Sequence, residues 1–136
     1  MERETIKLGL IRGRHLLPVE NYIVEESQLT VFTKEELEPI IRKGILKYVD
    51  LYTLTTYSYE ISCPSVEWRD KENNYIEDYK LPTVQLYITG LTIVTLIATE
   101  ILINSGYNVD IIGFNPNSKK YYNQGTFKKK DIKISF

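Results

Sequence analysis

The stretch "TVQLYITGLTIVTLIATEILINSGYNVDIIGFN", residues 83–115, constrains the fold more than any other part of the chain. "TVQLYITG" reads as a strand that ends in glycine, and "LTIVTLIATEILINSG" as a helix closed by Gly106, a residue suited to the left-handed position after a helix. "YNVDIIGFN" is a second strand. Strand, helix and strand at this spacing make a β-α-β crossover, so the two strands are expected to be parallel and the crossover right-handed. The helix is apolar almost all round, apart from Thr92, Thr95, Thr99 and Glu100. Such a helix is buried on more than one side. Either the rest of the domain covers it or a second copy does, and a homodimer is the expected assembly.

The remaining chain supplies more strands and one more helix. "TIKLGLI", residues 5–11, is a first strand, and "NYIVEE", residues 21–26, a short second extended piece. In "FTKEELEPIIRKGILKYV" Thr33 and Glu36 form a capping box, and Leu37, Ile40, Ile41 and Tyr48 recur at helical spacing. Pro39 removes an amide donor and clashes one turn back, so a kink or restart is expected there, and Gly44 weakens the helix further. "LYTLTTYSYEIS", residues 51–62, is strand-like, with Leu51, Thr53, Thr55, Tyr57, Tyr59 and Ile61 on one face. "SVEWRD" and "NYIEDYK" then flank the polar turn Lys71, Glu72, Asn73, Asn74. Residues 51–80 therefore read as a tyrosine-rich β-hairpin inserted into an α/β domain with a mixed sheet. Tyrosine packs well on a pleated surface with its hydroxyl at water, which accounts for most of the 11 tyrosines. The tail is expected to make a turn at Pro116–Ser118, a hairpin through "KYYNQ", and a final alternating strand after the basic run.

Composition bounds the function. A chain of 136 residues suits one domain. Its formal net charge of −1 argues against a bulk nucleic-acid coat, which needs excess Lys and Arg. The single cysteine, Cys63, makes no internal disulfide and fits a reducing, cytoplasmic compartment. Beside Pro64 and without an obvious basic neighbour, it reads as a packed small residue rather than a nucleophile. One histidine and one cysteine do not make a usual zinc site, no GxSxG elbow is present, and no cofactor is implied. "MERETIKLGL" carries charges and no apolar core of a secretory signal. Residues 84–103 imitate a membrane span, but Gln85, Gly90, several threonines and Glu100 argue against one.

Three stretches could carry chemistry. "TGLT", residues 89–92, lies between strand and helix. Gly90 there lets backbone approach a ligand, the helix amides and dipole favour an anion, and Thr92 can cap the helix or bind. Open α/β sheets bind nucleotides in this place, at the carboxyl ends of their strands. The same residues also suit an ordinary tight turn. "RGRH", residues 12–15, follows the first strand, which in an α/β sheet often lies beside the strand preceding the crossover helix. Arg12, Gly13, Arg14 and His15 would then face "TGLT" across one cleft, the arginines clamping phosphate and His15 available as acid or base. A solvated charged turn is the plain alternative. "FNPNSKKYYNQ" emerges at the same sheet edge, where Asn115 could read a base or ribose and Tyr121 or Tyr122 could stack. A polar hairpin is the alternative there.

Taken together, "RGRHLLPV" after a first strand, "LYITGLT" before a helix, and "GFNPNSKKYYNQ" after the next strand resemble a loosely defined group of small phage and mobile-element proteins. These are similar in outline to the Rossmann-like ligand domains, of CARF and ring-nuclease type, that accompany CRISPR systems. The resemblance covers the first two dozen residues and residues 84–124, and leaves out the tyrosine-rich hairpin. It implies a single Rossmann-like domain in the cytoplasm that binds, and in some members cleaves, a cyclic nucleotide signal. The matching positions are Arg12, Arg14 and His15 on one side and Thr89, Gly90 and Thr92 on the other.

The leading functional expectation is a phosphate-bearing nucleotide ligand held between "RGRH" and "TGLT", with Arg12, Arg14, Thr89, Gly90, Thr92 and Asn115 binding it. Such a protein would serve as a phage sponge for an immune second messenger. A second expectation is a metal-independent phosphodiesterase with His15 as acid or base and Arg14 as charge stabiliser. A third is a protein-interaction inhibitor whose face is the tyrosine-rich hairpin, since tyrosine is favoured at such surfaces.

Overall fold

The structure is a computed structural model that describes residues 5–13, 16–60, 63–76 and 81–128. Strand β1 (Thr5–Arg12) is an interior strand of a five-stranded sheet. It pairs in parallel with β2 (Tyr22–Glu25) on one side and with β6 (Thr83–Tyr87) on the other. Beyond β6 come β7 (Asn108–Asn115), also parallel, and β8 (Lys120–Phe127), antiparallel at the edge. The sheet order is β2-β1-β6-β7-β8. The strand order reverses direction between β1 and β6.

Alternation along these strands sorts side chains between two faces. Leu8, Leu10, Val84, Leu86, Val109 and Ile111 join one large core with both helices. Helix α1 (Lys34–Leu46) contributes Leu37, Ile41 and Ile45, and α2 (Thr92–Asn104) contributes Val94, Ile97, Ala98 and Ile101. Both helices therefore cover the same face. Two crossovers of the same hand running the same way across a sheet, β2 to β6 and β6 to β7, give that result. The second cover that the apolar α2 needs is thus α1 of the same chain, and Leu96 is its one large side chain left mostly exposed, at 60%. Thr95 and Thr99 fit this apolar helix because their hydroxyls donate to the carbonyls of Leu91 and Thr95, at 3.3 and 2.7 Å.

Local chemistry sets the helix ends. The Thr33 Oγ1 accepts the Glu36 amide at 3.3 Å and lies 2.7 Å from the Glu36 carboxylate, which starts α1. Pro39 produces no break. The carbonyl it leaves without a helical donor belongs to Glu35, an exposed residue. Past the end of α2, Gly106 adopts φ +102°, with its amide bonded to the Ile103 carbonyl and the Tyr107 amide to that of Leu102. This double bond pattern is the Schellman stop, which requires the left-handed residue that glycine supplies.

The other face of the five-stranded sheet has no helix among the described residues. A small cluster of Leu17, Tyr22, Tyr87 and Ile112, with Val19 against it, covers its upper part. Among the described residues between β1 and β2 there is no helix, and the two described helices lie on one side of the sheet. What stands is a mixed α/β domain with a mostly parallel sheet and helices on one side.

The insertion is larger than a single hairpin. β3 (Thr53–Glu60), β4 (Cys63–Arg69) and β5 (Tyr75–Ile76) form a three-stranded antiparallel sheet. The polar turn at Lys71–Asn74 joins β4 to β5. Trp68 is buried against Gly106 and Leu81, at the amino ends of β6 and β7. The expected final strand after Lys128 lies outside the described residues. No described helix is long and apolar enough to cross a membrane.

Candidate functional site

An open cleft of about 630 Å³ lies at the carboxyl ends of β6 and β7. Such a volume suits a small ligand. Its walls come from three separate chain segments: Leu16 and Leu17 after β1, Ile88 to Gly90 after β6, and Gly113, Phe114, Tyr121 and Gln124 around the β7–β8 hairpin. These segments meet because β1 and β7 flank β6 in the sheet. The cleft thus sits beside the point where the strand order reverses, where open α/β sheets bind ligands.

Thr89 is the distinctive residue of this cleft. It is only 6% exposed, and its buried Oγ1 has no hydrogen-bond partner among the described residues. A buried hydroxyl left unpaired costs about 1–3 kcal/mol, so such groups are rare in folded proteins. Gly90 follows with φ +72°, a left-handed conformation that side-chain-bearing residues adopt at a cost. α2 begins immediately after. Its N-cap is Leu91, with no side-chain cap and no acidic residue in its first turn. Thr92, expected as a cap, is the first helical residue and is exposed. The chain thus caps α1 with Thr33 and leaves the positive end of α2 open.

Aromatic rings form the opposite wall. Tyr121 contacts Phe114 at 5.1 Å between centroids and Tyr87 at 5.7 Å, edge-on. Phe114 is half exposed. No charged side chain is among the described residues lining the cleft.

The sequence-derived candidates divide into three groups. Thr89 and Gly90 line the cleft. Arg12 and Asn115 are directed elsewhere. The Arg12 Nε lies 2.9 Å from the Glu25 carboxylate, and its guanidinium stands 4.7 Å above the Tyr22 ring, on the β2 side of β1. Asn115 turns back on its own loop, its Oδ1 accepting the amides of Asn117 and Ser118 at 2.9 and 3.4 Å. It shapes the Pro116–Ser118 turn and does not line the cleft. Arg14 and His15 lie outside the described residues. Among the described residues, no group of three His, Cys, Asp or Glu side chains could hold a metal ion.

Sequence reasoning missed Leu17, Phe114 and Gln124. Gln124 enters the cleft through a β-bulge: Ile111 pairs with Gly125 and Ile112 with Asn123, so Gln124 is the extra residue. The signal was Gly125, since an isolated glycine in a strand often marks a bulge. Compared with protein-family models, curated proteins and solved structures, the chain matches none.

Proposed function

We propose that this cleft binds a cyclic nucleotide, with its phosphate at the open end of α2 and its base against Phe114 and Tyr121. The observation that carries the reading is the buried, unpartnered hydroxyl of Thr89 beside an uncapped helix start. A phosphate oxygen at that place accepts from the hydroxyl and from first-turn amides, satisfying the orphaned group and capping the helix together. The aromatic wall suits a heterocycle, and base–aromatic stacking contributes about 1–3 kcal/mol per base. A phosphodiester carries one negative charge, less than the roughly −1.5 to −2 of a monoester. Hydroxyl and amide dipoles, with no cation among the described lining residues, match the smaller charge.

A binder of this kind would act by sequestering a second messenger, the role implied by the likeness to CRISPR-associated ligand domains. The test is incubation with a panel of 3′,5′-cyclic mononucleotides and cyclic dinucleotides. Protein-bound and free pools are then analysed by mass spectrometry, for the wild type and Thr89→Val. Intact nucleotide retained by the wild type and lost from the variant supports the reading. Linear product would favour a phosphodiesterase, with His15 as the first residue to substitute. No retention of any member would overturn the nucleotide reading.

A further inference from the structure

The helical layer stops one strand short of the sheet edge. Helices α1 and α2 build their core with β1, β2, β6 and β7, and no residue of β8 belongs to either buried cluster. Val109 and Ile111, which face the helices, pair with Phe127 and Gly125, so these two β8 residues look to the same side. The result is a step beside α2. It holds an apolar groove of about 710 Å³, bounded by Leu96, Ile103, Ile111 and Phe127. Phe127 is left 46% exposed there. β8 is also the edge of the sheet, with no strand on its outer side among the described residues. Open edge backbone beside exposed apolar side chains is a template for another strand.

We infer that the occupant is the chain's own segment "IKISF", residues 132–136, paired antiparallel with β8 and laying Ile132, Ile134 and Phe136 over the groove. These three alternate with Lys133 and Ser135, the pattern of a strand with one apolar face. The segment is tethered to the groove itself, because the chain runs on from Phe127, and a short tether gives a high effective concentration. Its length fits. Five extended residues span about 17 Å, and the groove follows α2 from Thr95 to Asn104, about 14 Å. A connection through Lys128 to Asp131 has a common hairpin length and sets Ile132 opposite Phe127 and Ile134 opposite Gly125. Both then face the helical side. Lys133 falls opposite Thr126, whose hydroxyl donates to Asp110, and so brings a cation within one strand of that carboxylate. A second copy suits the edge less well: two β8 strands paired antiparallel about their midpoints set Lys120 of each opposite Lys128 of the other, like charge against like. The added strand braces the Gln124 bulge, which lines both the groove and the ligand cleft.

The test is a double-mutant cycle on the full chain, with Phe127→Ala and Ile134→Ala, read by urea denaturation. Ile134→Ala is expected to lower the folding constant several-fold in the wild-type background and by less than about two-fold once Phe127 is alanine, the non-additivity of residues in contact. Ser135→Ala, on the other face, should be additive with Phe127→Ala. The wild type supplies a second reading that needs no variant. Nuclear Overhauser contacts should join the Ile132 and Ile134 methyls to the Phe127 ring, with light scattering reporting a monomer at the same concentration. An additive cycle together with the absence of those contacts would overturn the assignment. So would a dimer whose dissociation exposes Leu96 and Phe127, which would name a second copy as the occupant. Should Phe127→Ala fail to fold, the wild-type contacts alone decide.

Discussion

A Cβ placed on Gly44 would land on the carbonyl oxygen of Ile23. Helix α1 therefore rests with its backbone directly against β2, and this contact sets how closely the helical layer lies on the sheet. Gly44 looked like a weak point in the helix when read by propensity. In the fold it is the position where no side chain fits. Gly44→Ala is expected to lower stability by about 1–3 kcal/mol, the range for overpacking a closed core. Gly125→Ala is the control, because a Cβ there meets only the Phe127 ring at an ordinary 3.7 Å. Urea denaturation of the two variants should separate them clearly.

Thr89→Val should have opposite effects on stability and on binding. Valine keeps the shape and removes the unpaired hydroxyl, so the unliganded protein is expected to gain about 1 kcal/mol or more. Its melting temperature should rise by roughly 4 °C per kcal/mol. The same variant should lose the stabilisation that added cyclic nucleotide gives the wild type. A fall in melting temperature without ligand would show that the hydroxyl is satisfied in solution.

Gly90 tests the turn between β6 and α2. Gly90→Ala is expected to cost about 1–2 kcal/mol from its left-handed backbone, whereas Gly90→Asn, better tolerated in that region, should cost less. Both should weaken nucleotide binding if the backbone approaches the ligand there. Thermal unfolding with and without ligand separates the two effects.

Arg12→Ala should leave ligand affinity within about two-fold of wild type. The guanidinium is occupied by Glu25 and by the Tyr22 ring, at half-exposed positions where such pairs contribute about 1 kcal/mol or less. Tyr22 also accepts the Leu17 amide through its hydroxyl at 3.3 Å, so Tyr22→Phe is expected to loosen the Leu17 wall of the cleft. Calorimetry on the two variants should find the larger loss in Tyr22→Phe.

The Asp70 carboxylate is held below the ordinary aspartate range. The Asn74 amide contributes most, with help from the Glu72 amide, the Asn74 side chain and Lys71. A lowered folded-state pKa means that the contribution is full above the unfolded value and is lost as pH falls through the folded one. Acidification into that range should therefore loosen the Asp70–Asn74 turn first. Carbon-detected titration of Asp70 checks this, and a midpoint at or above the ordinary aspartate value would contradict it.

The sequence shows most where the structure is local. The strand, helix and strand from Thr83 to Asn115, the Thr33 cap and the Gly106 stop each follow from neighbouring residues. The meeting of the segments after β1 and after β6 was also readable, since it follows from strand adjacency in an α/β sheet. What was not legible depends on distant partners. Arg12 turns to Glu25, Gly44 accommodates Ile23, and α1 covers α2. No pattern within ten residues specifies those contacts. Gln124 lay between the two cases, because Gly125 hinted at the bulge but not at the direction in which it would aim the amide.

The position of β1 between β2 and β6 has a consequence for synthesis. β2 follows β1 closely in the chain, whereas β6 is separated from it by α1 and by the whole three-stranded insertion. During translation one edge of β1 stays open, with Leu8 and Leu10 on a half-built face, until the residues from Thr83 onward leave the ribosome. The three-stranded unit closes by neighbouring antiparallel turns and can form in that interval, while the parallel sheet waits on the most non-local pairing in the molecule. Truncations ending before Thr83 should therefore accumulate as aggregation-prone species, and the step that commits the chain to its native state is the arrival of β6 beside β1.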